Sequence, residues 1–118
     1  MKVMMLILEA PEDFAARGDG PAAQVYWEQW QAYSQAVNDK VVGGNVLPDG
    51  SQATTIRRVN GERVVQDGPY ADSKESLGGY MIFEVESMDE AIELASTCPS
   101  LERGAVELRA IVPMDSIA

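Results

Sequence analysis

The spacing of apolar residues predicts a strand at the start of the chain and a long helix after it. Residues 2–9 (KVMMLILE) are apolar almost without interruption, as in a strand that is covered on both faces. From Pro21 onward the apolar positions recur every three or four residues, which predicts an amphipathic helix over residues 22–40. Its apolar stripe consists of Ala23, Tyr26, Trp30, Tyr33 and Val37. We expect Gly43 and Gly44 to end this helix, and a short extended piece to follow at residues 45–47.

Residues 53–67 (ATTIRRVNGERVVQD) predict a β-hairpin. Two runs with high strand propensity flank Asn60-Gly61, a pair that favours a two-residue type I′ turn. The resulting register places Arg58 opposite Arg63. Because like charges that face each other across strands repel, we expect an acidic or anionic group near these arginines. The acids between residues 84 and 93 are one source of such charge balance, and a bound anion is the other.

The second half of the chain repeats the order strand, helix, strand. A turn-rich loop at residues 67–79 leads into a predicted strand at residues 80–86. Ser87 and Glu90 form a capping box that predicts the start of a second helix, which Pro99 stops. Residues 105–112 alternate between apolar and polar side chains, which predicts a half-buried final strand.

This order of elements predicts an α+β fold of one domain over residues 1–118. The economical arrangement is a ferredoxin-like plait of the dimeric α+β barrel type, with an antiparallel sheet backed by two helices and an inserted β-hairpin. Two helices can cover only one face of such a sheet, yet the first strand is apolar on both faces. We therefore expect a homodimer in which the sheets of two copies pack face to face or edge to edge.

Composition excludes several classes of function. The 118 residues carry a net charge of −10, the wrong sign for coating nucleic acid or an anionic membrane. The absence of histidine excludes Ser-His-Asp triads, Cys-His dyads and histidine-based metal sites. A single cysteine excludes an intrachain disulfide and suits a cytoplasmic location. Carboxylates in calcium-loop spacing are also missing, so we expect neither a metal nor an organic cofactor.

Four segments of the chain resemble the YCII-related family of the DGPF type. They are KVMMLILEAPEDF, ATTIRRVNGERVVQDGPY, DSKESLGGYMIFEVESMDEAIELASTCPS and GAVELRAI, in this order and without large gaps. The motif that names the family stands here as Asp67-Gly68-Pro69-Tyr70. The longer string, with Lys74-Glu75 and Leu77-Gly78-Gly79 after it, is far more specific than a short glycine motif.

The resemblance implies a dimeric ferredoxin-like fold in small bacterial cytosolic proteins of undefined activity. The wider superfamily includes enzymes that use the cleft between sheet and helices, which is an analogy at the level of the fold. A His-Asp pair is proposed as catalytic in some relatives, and it cannot be transferred to a chain without histidine. Members of the DGPF type also tend to be encoded beside alternative sigma factors, which suggests a regulatory setting.

The motif residues are the first candidates for a site. At a strand end, Asp67 could act as a catalytic base, or it could cap a turn. Gly68 permits positive φ and Pro69 fixes φ, so a conformational role is the favoured interpretation for both, with contact to a ligand as the alternative. Tyr70 could present a phenol to a cleft, although an aromatic side chain that holds the loop on the core is the favoured interpretation.

Further candidates flank this loop. Lys74 and Glu75 could bind a ligand, whereas the alternative is a solvated run of charges. Gly79 permits a bulge or a close backbone approach. Arg57 could clamp an anion, and Trp30 could line a cleft or simply pack in the core. A buried, inert thiol is expected for Cys98.

Two functions remain open from the sequence. The first is a small-molecule binder or cofactor-independent enzyme whose cleft lies between the sheet and the first long helix. The second is a non-catalytic dimeric regulatory module that acts with a protein partner, in keeping with the sigma-factor association. A concave pocket favours the first function, whereas an exposed apolar or charged patch favours the second.

Overall fold

The computed structural model describes residues 1–71 and 73–117. In chain order its main elements are β1 (Lys2–Glu9), α1 (Pro11–Ala16), α2 (Pro21–Ala36), β2 (Val41–Val46), β3 (Thr54–Val59), β4 (Glu62–Asp67), β5 (Ser76–Glu84), α3 (Met88–Ala95) and β6 (Ala105–Ala110). Short 3-10 turns link several of them. None of the described helices is long and apolar enough to cross a membrane.

Strands β2, β5, β1 and β6 form, in that order, one antiparallel sheet. Strand β1 lies between β5 and β6, so its backbone is hydrogen-bonded on both sides, as its continuous apolar sequence predicts. This order with two covering helices is the ferredoxin-like plait. Strands β3 and β4 pair only with each other and form the hairpin inserted between β2 and β5. The predicted fold class is confirmed.

The core lies between the sheet and helices α2 and α3. Alternate residues of β1 are buried on this side, and Val3 and Met5 pack there with Phe83 of β5. Helix α2 contributes Tyr33, and α3 contributes Ala91 among others. The Ser87 hydroxyl accepts a hydrogen bond from the Glu90 amide at 3.2 Å, which confirms the predicted start of α3.

The opposite face of the sheet carries a second row of apolar side chains. The intervening residues of β1 are Met4, Leu6 and Leu8, and they are only partly buried. Tyr80 of β5 lies opposite Leu6, and Ile82 lies opposite Met4. No described element covers these side chains, so the outer face of the sheet is apolar along β1 and β5, while Arg109 and Glu107 of β6 lie at its edge opposite Met4 and Leu6.

The predicted boundary between the long helix and the next strand was wrong. Helix α2 ends at Ala36, a 3-10 turn follows at Asn38–Lys40, and β2 already begins at Val41. Gly44 therefore lies inside a strand and does not terminate a helix. A Cβ at Gly44 would lie 2.8 Å from the carbonyl oxygen of Tyr80, so close approach of β2 and β5 requires this glycine.

Two other strands differ from the sequence prediction. Strand β5 begins at Ser76, so the predicted loop is shorter and its glycines belong to the sheet. An irregular register opposite Ile7 and Leu8 accommodates them, which fits the bulge that the glycines suggest. The final strand, β6, ends at Ala110 and not at residue 112.

The hairpin matches its prediction in both turn and register. Asn60 has a φ of 51° and Gly61 a φ of 82°, the two positive values that a type I′ turn needs. Arg58 lies opposite Arg63, as expected. Within residues 1–71 and 73–117 neither arginine forms an ion pair, so the expected balance by the acids of residues 84–93 is wrong for this fold. The hairpin lies apart from those acids because it packs against neither β5 nor α3.

Candidate functional site

A cavity of about 430 Å³ lies between helix α2 and the sheet. Helix α2 supplies one wall, in which Trp27 and Trp30 are the largest side chains. The floor consists of segments of β2 and β5 together with Ile7 of β1. Its volume is within the usual range of small-molecule sites.

Glycines form part of the floor of this cavity. Gly44 of β2 and Gly79 of β5 both line it. A Cβ at Gly79 would lie 2.8 Å from the carbonyl oxygen of Asn45, so the two strands approach too closely for a side chain there. Since glycine has no side chain, the floor is bare backbone at these two positions, and we call this cavity the slot.

Three polar side chains meet at one end of the slot. The guanidinium of Arg17 donates from Nη2 to Oε1 of Glu9 at 2.7 Å. The Tyr26 hydroxyl donates to Oε2 of Glu9 at 2.6 Å and accepts a hydrogen bond from Arg17 Nε at 3.1 Å. We call these residues the Glu9–Arg17–Tyr26 cluster. All three line the cavity.

Arg17 also ties the cluster to the backbone of two strand ends. Its Nη1 donates to the carbonyl of Leu47, which follows β2, and its Nη2 donates at 3.0 Å to the carbonyl of Gly78 in β5. A Cβ at Gly78 would lie 2.6 Å from Oε1 of Glu9, so this glycine makes room for the carboxylate. The described residues occupy four of the five N–H donors of Arg17, which leaves one on Nη1 for a ligand.

Burial and hydrogen bonding shift the ionisation of the cluster. Burial raises the pKa of Tyr26 strongly, and the hydrogen bond to Glu9 adds to the rise, so its hydroxyl stays protonated. Burial alone would lower the pKa of Arg17, but its hydrogen bonds to Tyr26 and Glu9 raise it overall. The cluster thus pairs one positive with one negative charge, and its net charge is zero.

Local structure explains how three distant positions meet. Glu9 is the last residue of β1, on the face whose side chains point to the core, so its carboxylate is buried. Helix α1 is a short turn that ends with Arg17 at its C-cap. Tyr26 lies on the buried side of α2, one to two turns from its start. Arg17 is further held by the ring of Phe14, 4.6 Å from its Cζ.

Sequence reasoning missed Glu9 and Arg17. In the sequence Glu9 is only the polar end of an apolar run, and residues 10–20 carry no recognisable motif. One signal was available: Arg17 is the only basic residue between Lys2 and Lys40. A carboxylate that continues a buried strand face needs a cationic partner, and Arg17 is the one base nearby in the sequence.

The structure brings two of the predicted site residues to the cavity, Trp30 and Gly79. The other predicted site residues are outside its lining: Arg57, Asp67, Gly68, Pro69, Tyr70, Lys74 and Glu75. Their part in ligand binding stays a prediction. For Tyr70 the favoured interpretation was wrong, because its side chain is 80% exposed and does not hold the loop on the core.

The residues of the DGPY segment lie where the hairpin returns to the body. Asp67 pairs with Thr54 at the base of the hairpin. Gly68 has a φ of 104°, the positive φ that a glycine permits. Its amide donates to the carbonyl of Ala53 at 2.7 Å, and its carbonyl accepts a hydrogen bond from the Thr55 hydroxyl. These bonds hold the hairpin base to the loop.

Lys74 lies at a separate depression. The lining of this depression includes Phe14 of α1 and Asp49, whose carboxylate accepts hydrogen bonds from Ser51. These bonds lower the pKa of Asp49. In the described part of the chain, no three acidic or cysteine side chains are grouped as metal ligands would be. Cys98 is buried beside the Ser100 hydroxyl, 3.3 Å from its Sγ, and burial raises the pKa of the thiol.

The sequence of this chain is similar to those of known proteins. The family model described as YCII-related domain matches residues 1–115. An uncharacterized protein of Rhizobium meliloti (strain 1021) is 44% identical over 43 residues, which are 36% of this chain and 35% of that protein. The matched stretch thus spans about a third of that relative.

A solved structure shares the fold over almost the full length. It is the 5-chloro-2-hydroxyhydroquinone dehydrochlorinase of Burkholderia phenoliruptrix AC1100, in complex with 2,5-dihydroxybenzoquinone. The TM-score is 0.57 at 17% sequence identity, and the match covers 98% of each chain. At this identity the likeness establishes the fold alone.

Proposed function

This chain belongs to the YCII-related domain family, and from that premise we propose that it binds a small planar molecule in the cavity between helix α2 and the sheet. The observation that carries the proposal is that the Glu9–Arg17–Tyr26 cluster lies in the lining of a mostly apolar slot. Small-molecule sites combine apolar walls with a few fixed polar groups in this way.

A planar ligand fits the shape of the slot. Trp27 and Trp30 form one wall, and the bare backbone at Gly44 and Gly79 forms the other. Aromatic side chains gain most from a flat partner that stacks on or meets their faces. A ring compound can stack on the tryptophans, an interaction that an aliphatic compound does not make.

The polar end of the slot favours an uncharged ligand with a hydroxyl or carbonyl group. Arg17 and Glu9 neutralise each other, so the cavity offers no uncompensated charge to an ion. The remaining N–H of Arg17 can donate to such a ligand, and the Tyr26 oxygen can accept from it. The net charge of −10 on the whole chain further disfavours an anion.

The structural neighbour supports a ring compound as the class of ligand. That protein is named for its action on a chlorinated hydroxyhydroquinone and holds a dihydroxybenzoquinone, a flat six-membered ring. The same fold thus accommodates a ligand of the shape that the tryptophan wall of this chain fits.

A titration with two ring compounds of similar size tests the proposal. We would titrate hydroquinone and benzoate separately into the protein and measure heats of binding and thermal stabilisation. Hydroquinone should bind and benzoate should not, because only the first is uncharged. A ligand at a hundred times its Kd adds about 2.7 kcal/mol of stability.

A pair of variants locates the binding site. Trp30→Leu removes a wall of the cavity and should weaken hydroquinone binding about tenfold. Tyr70→Leu is the matched control, since it makes a similar change at an exposed position outside the cavity. Equal affinity of both variants, or binding of neither hydroquinone nor any other uncharged phenol or quinone, would refute the proposed site.

The proposal includes a second copy of the chain on the outer face of the sheet. The partly buried row of Met4, Leu6 and Ile82 is apolar and continuous, and such faces on monomers are seldom large. A homodimer removes this surface from water in both copies. We also propose a cytoplasmic location, which a single buried cysteine suits. The alternative regulatory function stays a prediction.

A further inference from the structure

The inserted hairpin projects from the body of the molecule as an arm. We define the arm as residues 54–67, which comprise β3, β4 and their turn. Both strands pair only with each other, and nearly every arm residue is exposed. The radius of gyration is 16.3 Å, whereas a compact chain of this length would have roughly 13.5 Å. The arm thus extends away from the body of the molecule and encloses no hydrophobic core.

One face of the arm carries an exposed apolar pair. Ile56 lies directly opposite Val65, and their side chains are 65% and 55% exposed. A two-stranded hairpin without a third strand or a covering layer is only marginally stable in water. An arm whose strands are rich in β-branched residues therefore gains stability when a partner covers this face.

The charge of the arm points to an acidic partner. Arg58 and Arg63 lie on the same face as Ile56 and Val65, next to the turn. Three arginines against Glu62 and Asp67 make the arm net positive, in a chain whose net charge is −10. The rest of the chain is therefore strongly acidic. The body of a second copy of this chain therefore carries a net charge opposite in sign to that of the arm.

Pairing of two arms with each other is disfavoured. The two arginines of one arm already face each other, and a second arm would bring two more to the same place. Packing of the arm on the body of the second copy avoids this repulsion and places opposite charges together. Under twofold symmetry each arm then contacts the body of the other copy.

We propose that the arm clasps a second copy of this chain, with Ile56, Val65, Arg58 and Arg63 against the acidic body of that copy. The inference rests on the homodimer proposed above and adds a second contact to it. The arm then stabilises the dimer, and the outer sheet face supplies the rest of the interface.

Sedimentation equilibrium of matched variants tests the clasp. The double variant Ile56→Thr, Val65→Thr keeps two β-branched residues in the hairpin and should raise the dimer dissociation constant about tenfold. The control is Val59→Thr, Val64→Thr, which makes the same kind of change on the opposite face of the arm and should leave the constant within about twofold. Arg58→Gln, Arg63→Gln should also weaken the dimer and reduce its dependence on salt.

Hydrogen exchange gives an independent readout. The amides of residues 54–67 should exchange more slowly above the dissociation constant of the dimer than below it. The clasp is refuted, and the dimer stands, if the wild type is a dimer and the two double threonine variants have the same dissociation constant. If the wild type is a monomer at all concentrations, the dimer and the clasp both fail, while ligand binding in the cavity is unaffected.

Discussion

Nη2 of Arg17 lies 2.7 Å from Oε1 of Glu9, whose side chain is 2% exposed. A buried ion pair stabilises a protein only if further hydrogen bonds compensate the loss of water. Here Tyr26 and two backbone carbonyls supply them. The pair therefore joins the end of β1 to α2, to β5 and to the segment after β2, which are the elements that enclose the cavity.

Removal of the cation should destabilise the fold strongly. Arg17→Met leaves the Glu9 carboxylate buried with one partner fewer, and we expect a loss of about 3–5 kcal/mol in the free energy of unfolding. Arg109→Met breaks the exposed Arg109–Glu107 pair and should cost less than about 1 kcal/mol. Urea denaturation of both variants measures the difference. Similar losses for the two variants would show that the Glu9–Arg17 pair is not a structural link.

A methyl group at Gly78 should disturb the same cluster. Its Cβ would lie 2.6 Å from Glu9 Oε1 and 3.0 Å from Arg17 Nη2, and both side chains are held by other bonds. We expect Gly78→Ala to cost about 1–3 kcal/mol and to weaken hydroquinone binding. Gly18→Ala is the control, because its Cβ would meet only Ala15 O at 3.9 Å. Unchanged stability of Gly78→Ala would mean that the carboxylate can move aside.

Substitutions in the DGPY segment separate two possible positions of the site. We expect Asp67→Asn and Lys74→Ala to change hydroquinone affinity less than Trp30→Leu does, because only Trp30 lines the cavity. Isothermal titration of hydroquinone into each of the three variants measures these affinities. A larger loss in Asp67→Asn would place the ligand at the base of the hairpin and support the motif-based prediction.

Local patterns predicted most of the fold. The apolar run of β1, the Asn60-Gly61 turn and the Ser87 cap each have a short-range physical cause, and the structure has all three where they were expected. The misplaced boundary at Gly44 has a long-range cause. The glycine is required by Tyr80, which is 36 residues away in the sequence and adjacent only in the sheet.

The candidate site was predicted only in part for the same reason. Trp30 was found because helical spacing reveals which side of α2 faces the sheet. Arg17 was missed because its partners come from four separate segments, and no local pattern connects them. Its isolation among acidic and apolar residues was the one available sign.

The thiol of Cys98 should be unreactive in the folded protein. Burial raises its pKa, so little of the nucleophilic thiolate forms near neutral pH, and access is blocked as well. Iodoacetamide at pH 8 should label it slowly in buffer and rapidly in urea. A Tyr70→Cys variant provides an exposed thiol in the same molecule for comparison. Equal labelling of both cysteines in buffer would contradict the buried position.

The stability of the protein should fall in alkaline solution, and Tyr33 should account for part of the loss. Burial raises the pKa of Tyr33, and its hydroxyl donates to the carbonyl of Leu94 at 2.7 Å. In the unfolded chain tyrosine ionises near its ordinary pKa of about 10. The folded state then binds more protons than the unfolded state, so stability is complete below about pH 10 and decreases as the pH rises above it.

The Tyr33→Phe variant tests this linkage. It should lose about 1 kcal/mol at pH 7, where only the hydrogen bond is missing. Above pH 10 its stability should decline less steeply than that of the wild type, by up to about 1.4 kcal/mol per pH unit for one titrating group. Tyr70→Phe removes a hydroxyl from an exposed ring and should follow the wild-type curve. Urea unfolding at pH 7 to 11 gives all three curves, and parallel curves for Tyr33→Phe and the wild type would exclude Tyr33 as a source of the alkaline loss.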